Sequence, residues 1–433
     1  MSLTDVPLTP MVTQIPEDRV FNPPQPTNTD FQHVRQDTDE EIRSKIWGPY
    51  YKVALTTLQI GEVDKDASSG RKFLVFLPNI VAILLLLARG IYMLIRMSSA
   101  ISLSLYWAYS GILFFISLHG LIGALALLVY KNENYFGNTI DMIRMTTRNK
   151  VSSVKKSVFF MPVFLYAFVI IPMLVFIGEN YFMYDKDVTD LLNIPNITAN
   201  ETAQFRKSMF GVQSLFFLDA IIIVIGGYLA ANALVVYLQA NRAICEEYKK
   251  FNDRLKDSIK DGSILRRPVM RSYESQLIDY ISTARFINNT ASFLIDVTFM
   301  AGLFIQICTQ FALKGYGPRM YSIQNTLMGI WTAQSVYFLF LATKRPAVLQ
   351  ELLNETTALL WLDQGIWSKN EDPLIREIAR CMTARIDSVD YASKGMSPTR
   401  ASNIVFNAIM FVIPFLVDIL AAYKYIPWFQ SDD

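Results

Sequence analysis

Histidine, cysteine and charge are scarce in this sequence of 433 residues. Two histidines, His33 and His119, are too few for a histidine-built metal or acid–base site. Cys245, Cys308 and Cys381 cannot make a disulfide framework and lack metal-ligand spacing. There is no Walker loop, no His–Glu metal cluster and no nucleophile–base pairing. No enzymatic activity, cofactor, metal or nucleic-acid partner is therefore expected. Charged residues make up 18% of the chain, where a soluble domain carries about a quarter. Hydrophobic residues reach 52% and mean hydropathy is +0.27, so the composition points to the bilayer. The first fifty residues lack an apolar core ended by a small-residue cleavage site, so the first apolar helix is expected to direct insertion.

A bilayer core of about 30 Å takes roughly 20 apolar residues as helix, because only a helix or a closed barrel satisfies its own backbone there. Seven stretches meet that length: Phe73–Ile95, Leu103–Tyr130, Val158–Gly178, Phe210–Gln239, Phe286–Leu313, Tyr321–Thr343 and Asn403–Tyr423. The fold class expected is all-α, a polytopic membrane protein with seven transmembrane helices. With the N-terminus and the 2–3, 4–5 and 6–7 loops on one side, that side holds about 32 of the 40 Lys and Arg, against about 7 opposite. The basic side is expected to be cytoplasmic, which leaves the N-terminus inside and the C-terminus outside. The resulting organisation is a disordered N-terminus (1–40), an interfacial helical segment (41–72) and spans 1–4 (73–239). A cytoplasmic helical segment (240–285) precedes spans 5–6 (286–343), and a second (344–402) precedes span 7 (403–423) and a short outer tail (424–433). Asn196 and Asn200 head sequons in the 3–4 loop, placed outside, and are candidate glycosylation sites.

Both cytoplasmic segments read as helical extensions. Tyr248, Phe251, Leu255 and Ile259 recur at helical spacing, and Asp261-Gly262 and Arg267-Pro268 mark a turn. Val348–Trp361 and Leu374–Val389 are amphipathic in the same way.

Seven helices suggest a G-protein-coupled receptor, but the charges run the chain the other way round. No D-R-Y-type triplet follows the third span and no N-P-x-x-Y closes the seventh. Gly395-Met396 and then Arg400 lead into the last stretch, with Ile413-Pro414 and Leu420-Ala421 inside it. With the inverted topology, the long cytoplasmic segments and the short tail, this resembles the insect-type gustatory and odorant receptors. That family carries Thr-Tyr and Gln-Phe pairs near the last two positions. The resemblance implies a receptor in the plasma membrane, with cytoplasmic extensions that associate four subunits, as a homo- or hetero-tetramer. It also implies a pore lined by the seventh helix.

Charges inside apolar spans are functional candidates, since lipid tolerates them badly. Arg89 in the first span either binds an anionic ligand group or pairs with Asp219 or Asp296 of the fourth and fifth. His119 in the second span fits an interhelical hydrogen bond. Asn407, Phe411 and Asp418 fall on one face of the seventh helix, and under the resemblance they stand near the pore wall, Asp418 attracting cations as acidic rings do. A pocket for an unidentified small molecule is expected in the outer halves, among Tyr106, Trp107, Tyr109, Phe217, Tyr321, Gln324 and Trp331. The same aromatics fit an ordinary interfacial belt. Three functions stay open: a gustatory-receptor-like ligand-gated cation channel, a serpentine G-protein-coupled chemoreceptor, and a transporter or lipid-handling membrane protein.

Overall fold

The computed structural model describes residues 38–50, 69–98, 105–147, 160–184, 213–317, 320, 322–369, 372–389 and 398–422, and all regular structure among them is helical. The elements are α1 (Asp39–Trp47), α2 (Ser69–Ser98), α3 (Leu105–Asn132), α4 (Tyr135–Thr147), α5 (Phe160–Tyr184) and α6 (Phe216–Lys260). They continue as α7 (Arg267–Tyr316), α8 (Ser322–Leu362), α9 (Pro373–Asp387), α10 (Pro398–Asn407) and α11 (Ile413–Ala422). A π-helical turn, Ala408–Val412, joins the last two. Among the described residues seven helices are long and apolar enough to cross a bilayer: α2, α3, α5, α6, α7, α8 and the α10–α11 run. They coincide with the seven apolar stretches of the sequence. The chain is a multi-pass membrane protein.

Helix α6 stands at the centre, with 78% of its apolar window buried against 22% for α2 and 24% for the last span. Small residues allow this. At Gly120 of α3 a methyl group would lie 2.7 Å from the Gly226 Cα, and at Gly123 one would lie 2.5 Å from the Ala230 Cα. Without these glycines the two backbones could not cross so closely. Around the crossing, aromatic donors reach backbone carbonyls of α6. Trp47 Nε1 donates to the Val236 carbonyl at 3.1 Å, and the Tyr130 hydroxyl to that of Ala233 at 3.4 Å. Trp47 belongs to α1, which starts on a capping box between Thr38 and Glu41 and buries Ile42, Ile46 and Trp47.

Helices α6, α7 and α8 run on past their apolar windows without a break and pack together with α9 as a helical anchor at one end of the bundle. Its core is aromatic: Tyr248, Phe251, Tyr273 and Tyr280 meet edge-on or tilted, with centroids 5.4–5.7 Å apart. The α6–α7 turn passes through Gly262 at φ +72°, a left-handed conformation that suits glycine, and Pro268 sits in the first turn of α7. Polar ties close the anchor. Asn252 Nδ2 donates to the Leu352 carbonyl at 2.9 Å and to Glu355 at 3.0 Å, and Arg267 Nη2 donates to Asp372 at 3.0 Å.

In the last span the Ile413 N–H bonds to the Ala408 carbonyl, five residues back, just ahead of Pro414. Proline has no N–H to give and crowds the preceding turn, and a π-turn there absorbs the mismatch.

Candidate ligand site and seventh helix

At the end of the bundle opposite the anchor, three rings from three helices converge. Trp331 of α8 is fully buried, with Tyr109 of α3 edge-on at 5.8 Å and Phe176 of α5 at 5.7 Å. From another face of α3, Trp107 meets Phe311 of α7 at 5.8 Å. The Trp331 indole Nε1 and the Oε1 of Gln324, both buried on α8, have no hydrogen-bond partner among the described residues. Gln324 and Trp331 lie seven residues apart, so they share a helix face. A buried indole donor unpaired among rings, and a buried amide oxygen unpaired on the same helix face, are costly unless something meets them. An apolar enclosure with a few directed polar atoms is also how small-molecule sites are built.

One turn further along α3 lies a buried ion pair. Arg89 Nε of α2 donates to Asp219 Oδ1 of α6 at 2.7 Å, with both side chains essentially inaccessible. Arg89 Nη1 also reaches the Leu113 carbonyl at 3.3 Å and the Ser117 hydroxyl. Arg89 Nη2 and Asp219 Oδ2 have no hydrogen-bond partner among the described residues. Three helices are thus pinned by one guanidinium. Asp296 stands exposed on α7 and takes no part. His119 Nε2 lies 3.1 Å from the Thr298 hydroxyl of α7, a hydrogen bond between helices. Among the described residues no cluster of His, Cys, Asp or Glu is grouped to hold a metal ion.

Residues 46–417 match a family model described as "Caenorhabditis protein of unknown function, DUF267". The chain belongs to that family. Among curated proteins no sequence matches it. In the comparison of structures it is similar to the insect olfactory receptor OR5 from Machilis hrabei, at a TM-score of 0.54 and 10% identity, covering 89% of this chain and 99% of that one. It is similar also to the same receptor in complex with eugenol, at a TM-score of 0.55 and 11% identity, covering 89% of this chain and 100% of the other. At such identity the likeness concerns the fold, which is that of the insect chemoreceptors. Those neighbours are receptors rather than enzymes.

Of the residues the sequence singles out, the structure brings Tyr109 and Trp331 into contact and buries Gln324 on the same side of α8. Trp107 packs instead against Phe311 of α7. Tyr106 stacks under the Arg96 guanidinium, 4.6 Å from its ring centre. Phe217 is 68% exposed and points away from the bundle; its neighbour Phe216 is the inward ring. Tyr321, Asn196 and Asn200 lie outside the described residues. On the last span Asn407 and Phe411 are exposed, and Asp418 pairs with Lys314 of α7. Sequence reasoning missed Phe176 and Ser117. Phe176 lies in a third span that is apolar all round, where nothing distinguishes one inward ring. Ser117 is a small hydroxyl with no periodic signal.

Proposed function

We propose that this protein is a chemosensory receptor of the plasma membrane, gustatory-receptor-like, that binds a small and largely apolar organic molecule against Trp331 and opens a cation pathway along the seventh helix. The observation that carries this reading is the unpaired Trp331 Nε1, fully buried between the Tyr109 and Phe176 rings. A ligand with one acceptor atom would satisfy the indole, and one with a donor as well would satisfy Gln324 Oε1. The rings would supply stacking and apolar contact, each such aromatic contact adding about 0.5–1.5 kcal/mol. The receptor similar in fold has been solved with eugenol, an aromatic molecule, so phenols and aromatic alcohols are the first probes.

The Lys and Arg distribution supports an N-terminus inside and a C-terminus outside, which puts the aromatic cluster toward the outer face and the anchor in the cytoplasm. The α10–α11 face bearing Phe406, Met410, Phe411 and Leu416 is exposed in the single chain. That face supports assembly as a homo- or hetero-tetramer, with Asn407, Phe411 and Asp418 at the pore, while the sequons of the 3–4 loop support glycosylation at Asn196 and Asn200. The test is ligand-evoked calcium entry in cells expressing the chain. Trp331→Ala and Gln324→Ala are expected to raise the half-maximal concentration by about tenfold or more, the factor of one lost buried hydrogen bond or ring contact. Phe217→Ala is expected to change nothing. Equal shifts in all three variants would contradict the site.

A further inference from the structure

A cavity of about 970 Å³ opens at the other end of the bundle between α5, α6 and α8, where these helices pass from the apolar stretch to the anchor. Its floor is apolar. Phe160, Phe164 and Phe168, spaced four apart on one face of α5, meet Tyr337 and Leu341 of α8. The Phe168 and Tyr337 rings stack at 5.1 Å. Its rim is charged, with Arg242 and Lys249 from α6 and Lys344 from α8 beside Glu246 and Glu351. Arg242 is engaged by Glu246 at 2.9 Å. Lys249 and Lys344 are exposed and make no ion pair within 4 Å among the described residues, although the Lys249 charge is felt by Glu355.

The sequence places this boundary at a membrane surface. Phe160 lies at the start of one apolar stretch, and Arg242 and Lys344 lie just beyond the ends of two others, all on the side rich in Lys and Arg. A groove that is apolar at bilayer depth and cationic at the surface complements a molecule with hydrocarbon below and an anion above. A soluble anion would leave the phenyl floor unused, and a zwitterionic lipid would leave uncompensated the rim's excess of positive charge, three cations against two carboxylates.

We propose that this cleft is a binding site for an anionic glycerophospholipid. Its headgroup lies between Lys249 and Lys344, and one acyl chain runs along Phe160, Phe164 and Phe168. Since α6 and α8 continue unbroken into the anchor, a lipid seated here ties α5 to both at the level where span becomes anchor. The site lies at the opposite end from Trp331 and does not depend on the chemosensory reading.

The test uses the full chain, purified in neutral detergent and stripped of lipid. Native mass spectrometry follows retention of added phosphatidylserine, phosphatidylcholine and glycerophosphoserine, which has the headgroup without chains. Phosphatidylserine is expected to be retained in preference to both. A lysine near an anionic lipid surface contributes on the order of fivefold, so Lys249→Gln with Lys344→Gln is expected to weaken retention roughly 30-fold. Phe164→Ser is expected to weaken it without altering headgroup preference. The double variant Lys260→Gln/Arg271→Gln, changing exposed anchor residues away from the cleft, is expected to bind as the parent does. Equal retention of phosphatidylcholine would overturn the proposal. So would a matching loss in the control variant, or glycerophosphoserine bound as well as the lipid, which would mean a soluble anion instead. Melting temperatures separate lost binding from lost folding, and Phe164→Ser, at an exposed ring, gives a reading if the lysine variant does not fold.

Discussion

Arg89 sits where a charge is expensive, and its environment shows what such a residue needs to persist. Asp219 neutralises it, and the Leu113 carbonyl and Ser117 hydroxyl take further N–H groups. Removing one partner leaves the other charge buried and uncompensated, so Asp219→Asn or Arg89→Met should cost about 3–5 kcal/mol. Replacing both by leucine should recover much of that loss, because the hydrophobic pair carries no desolvation penalty. Melting temperatures of the three variants in detergent check this. The sequence marks Arg89 as a charge needing a partner, yet Asp219 and Asp296 are equal candidates there. What separates them is helix rotation, which a span that is apolar all round does not encode. Phe216 and Phe217 carry the same lesson: adjacent residues about 100° apart on α6, one inside and one outside.

The α3–α6 crossing depends on two glycines at the scale of the helix pair. Gly123→Leu places carbon against the Ala230 backbone and should destabilise by about 1–3 kcal/mol or more. Gly329 of α8 has open space around it, so Gly329→Ala should be neutral or gain roughly 0.5–1 kcal/mol. Thermal melts of the two variants give opposite signs if close packing, rather than glycine content, is what matters. The anchor answers to pH. The hydrogen bond from Arg267, with its charge, holds Asp372 below its ordinary 3.8. Burial pulls Glu355 upward, but hydrogen bonds from Lys256 and Asn252 overcome it and hold the carboxyl below its ordinary 4.5. A depressed carboxylate contributes stability above its unfolded value and loses it as pH falls through the folded one. The α7–α9 and α6–α8 ties should therefore hold at pH 5–8 and weaken below about pH 4. Amide protection in α9, taken relative to the intrinsic exchange rate at each pH, should fall on acidification, and Arg267→Gln should flatten that response. The helical extensions are visible in the sequence because their stripes repeat every three or four residues. The cross-helix bonds between them are not, since they join residues about a hundred positions apart.

For the whole molecule, the seven spans and the fold class are legible because hydropathy adds over twenty residues and no single position has to be right. The insect-receptor likeness is legible in the number and order of helical elements far more than in residues, as the low shared identity shows. Assembly is a property of several chains, and the sequence reaches it only through the exposed, apolar last span. Epitope tags should report the N-terminus in the cytoplasm and the C-terminus outside in unpermeabilised cells; an extracellular N-terminus would remove the basis for the channel reading. The pairing of Asp418 with Lys314 gives the pore hypothesis its sharpest form, because Asp418→Asn leaves an uncompensated cation beside the proposed pathway. The most direct measurement is whole-cell current evoked by a phenolic ligand, with G-protein signalling blocked from the pipette, in the parent and in Asp418→Asn. A cation current that survives the blockade is expected, with reduced cation preference in the variant. A response abolished by the blockade, with selectivity untouched by Asp418→Asn, would contradict it.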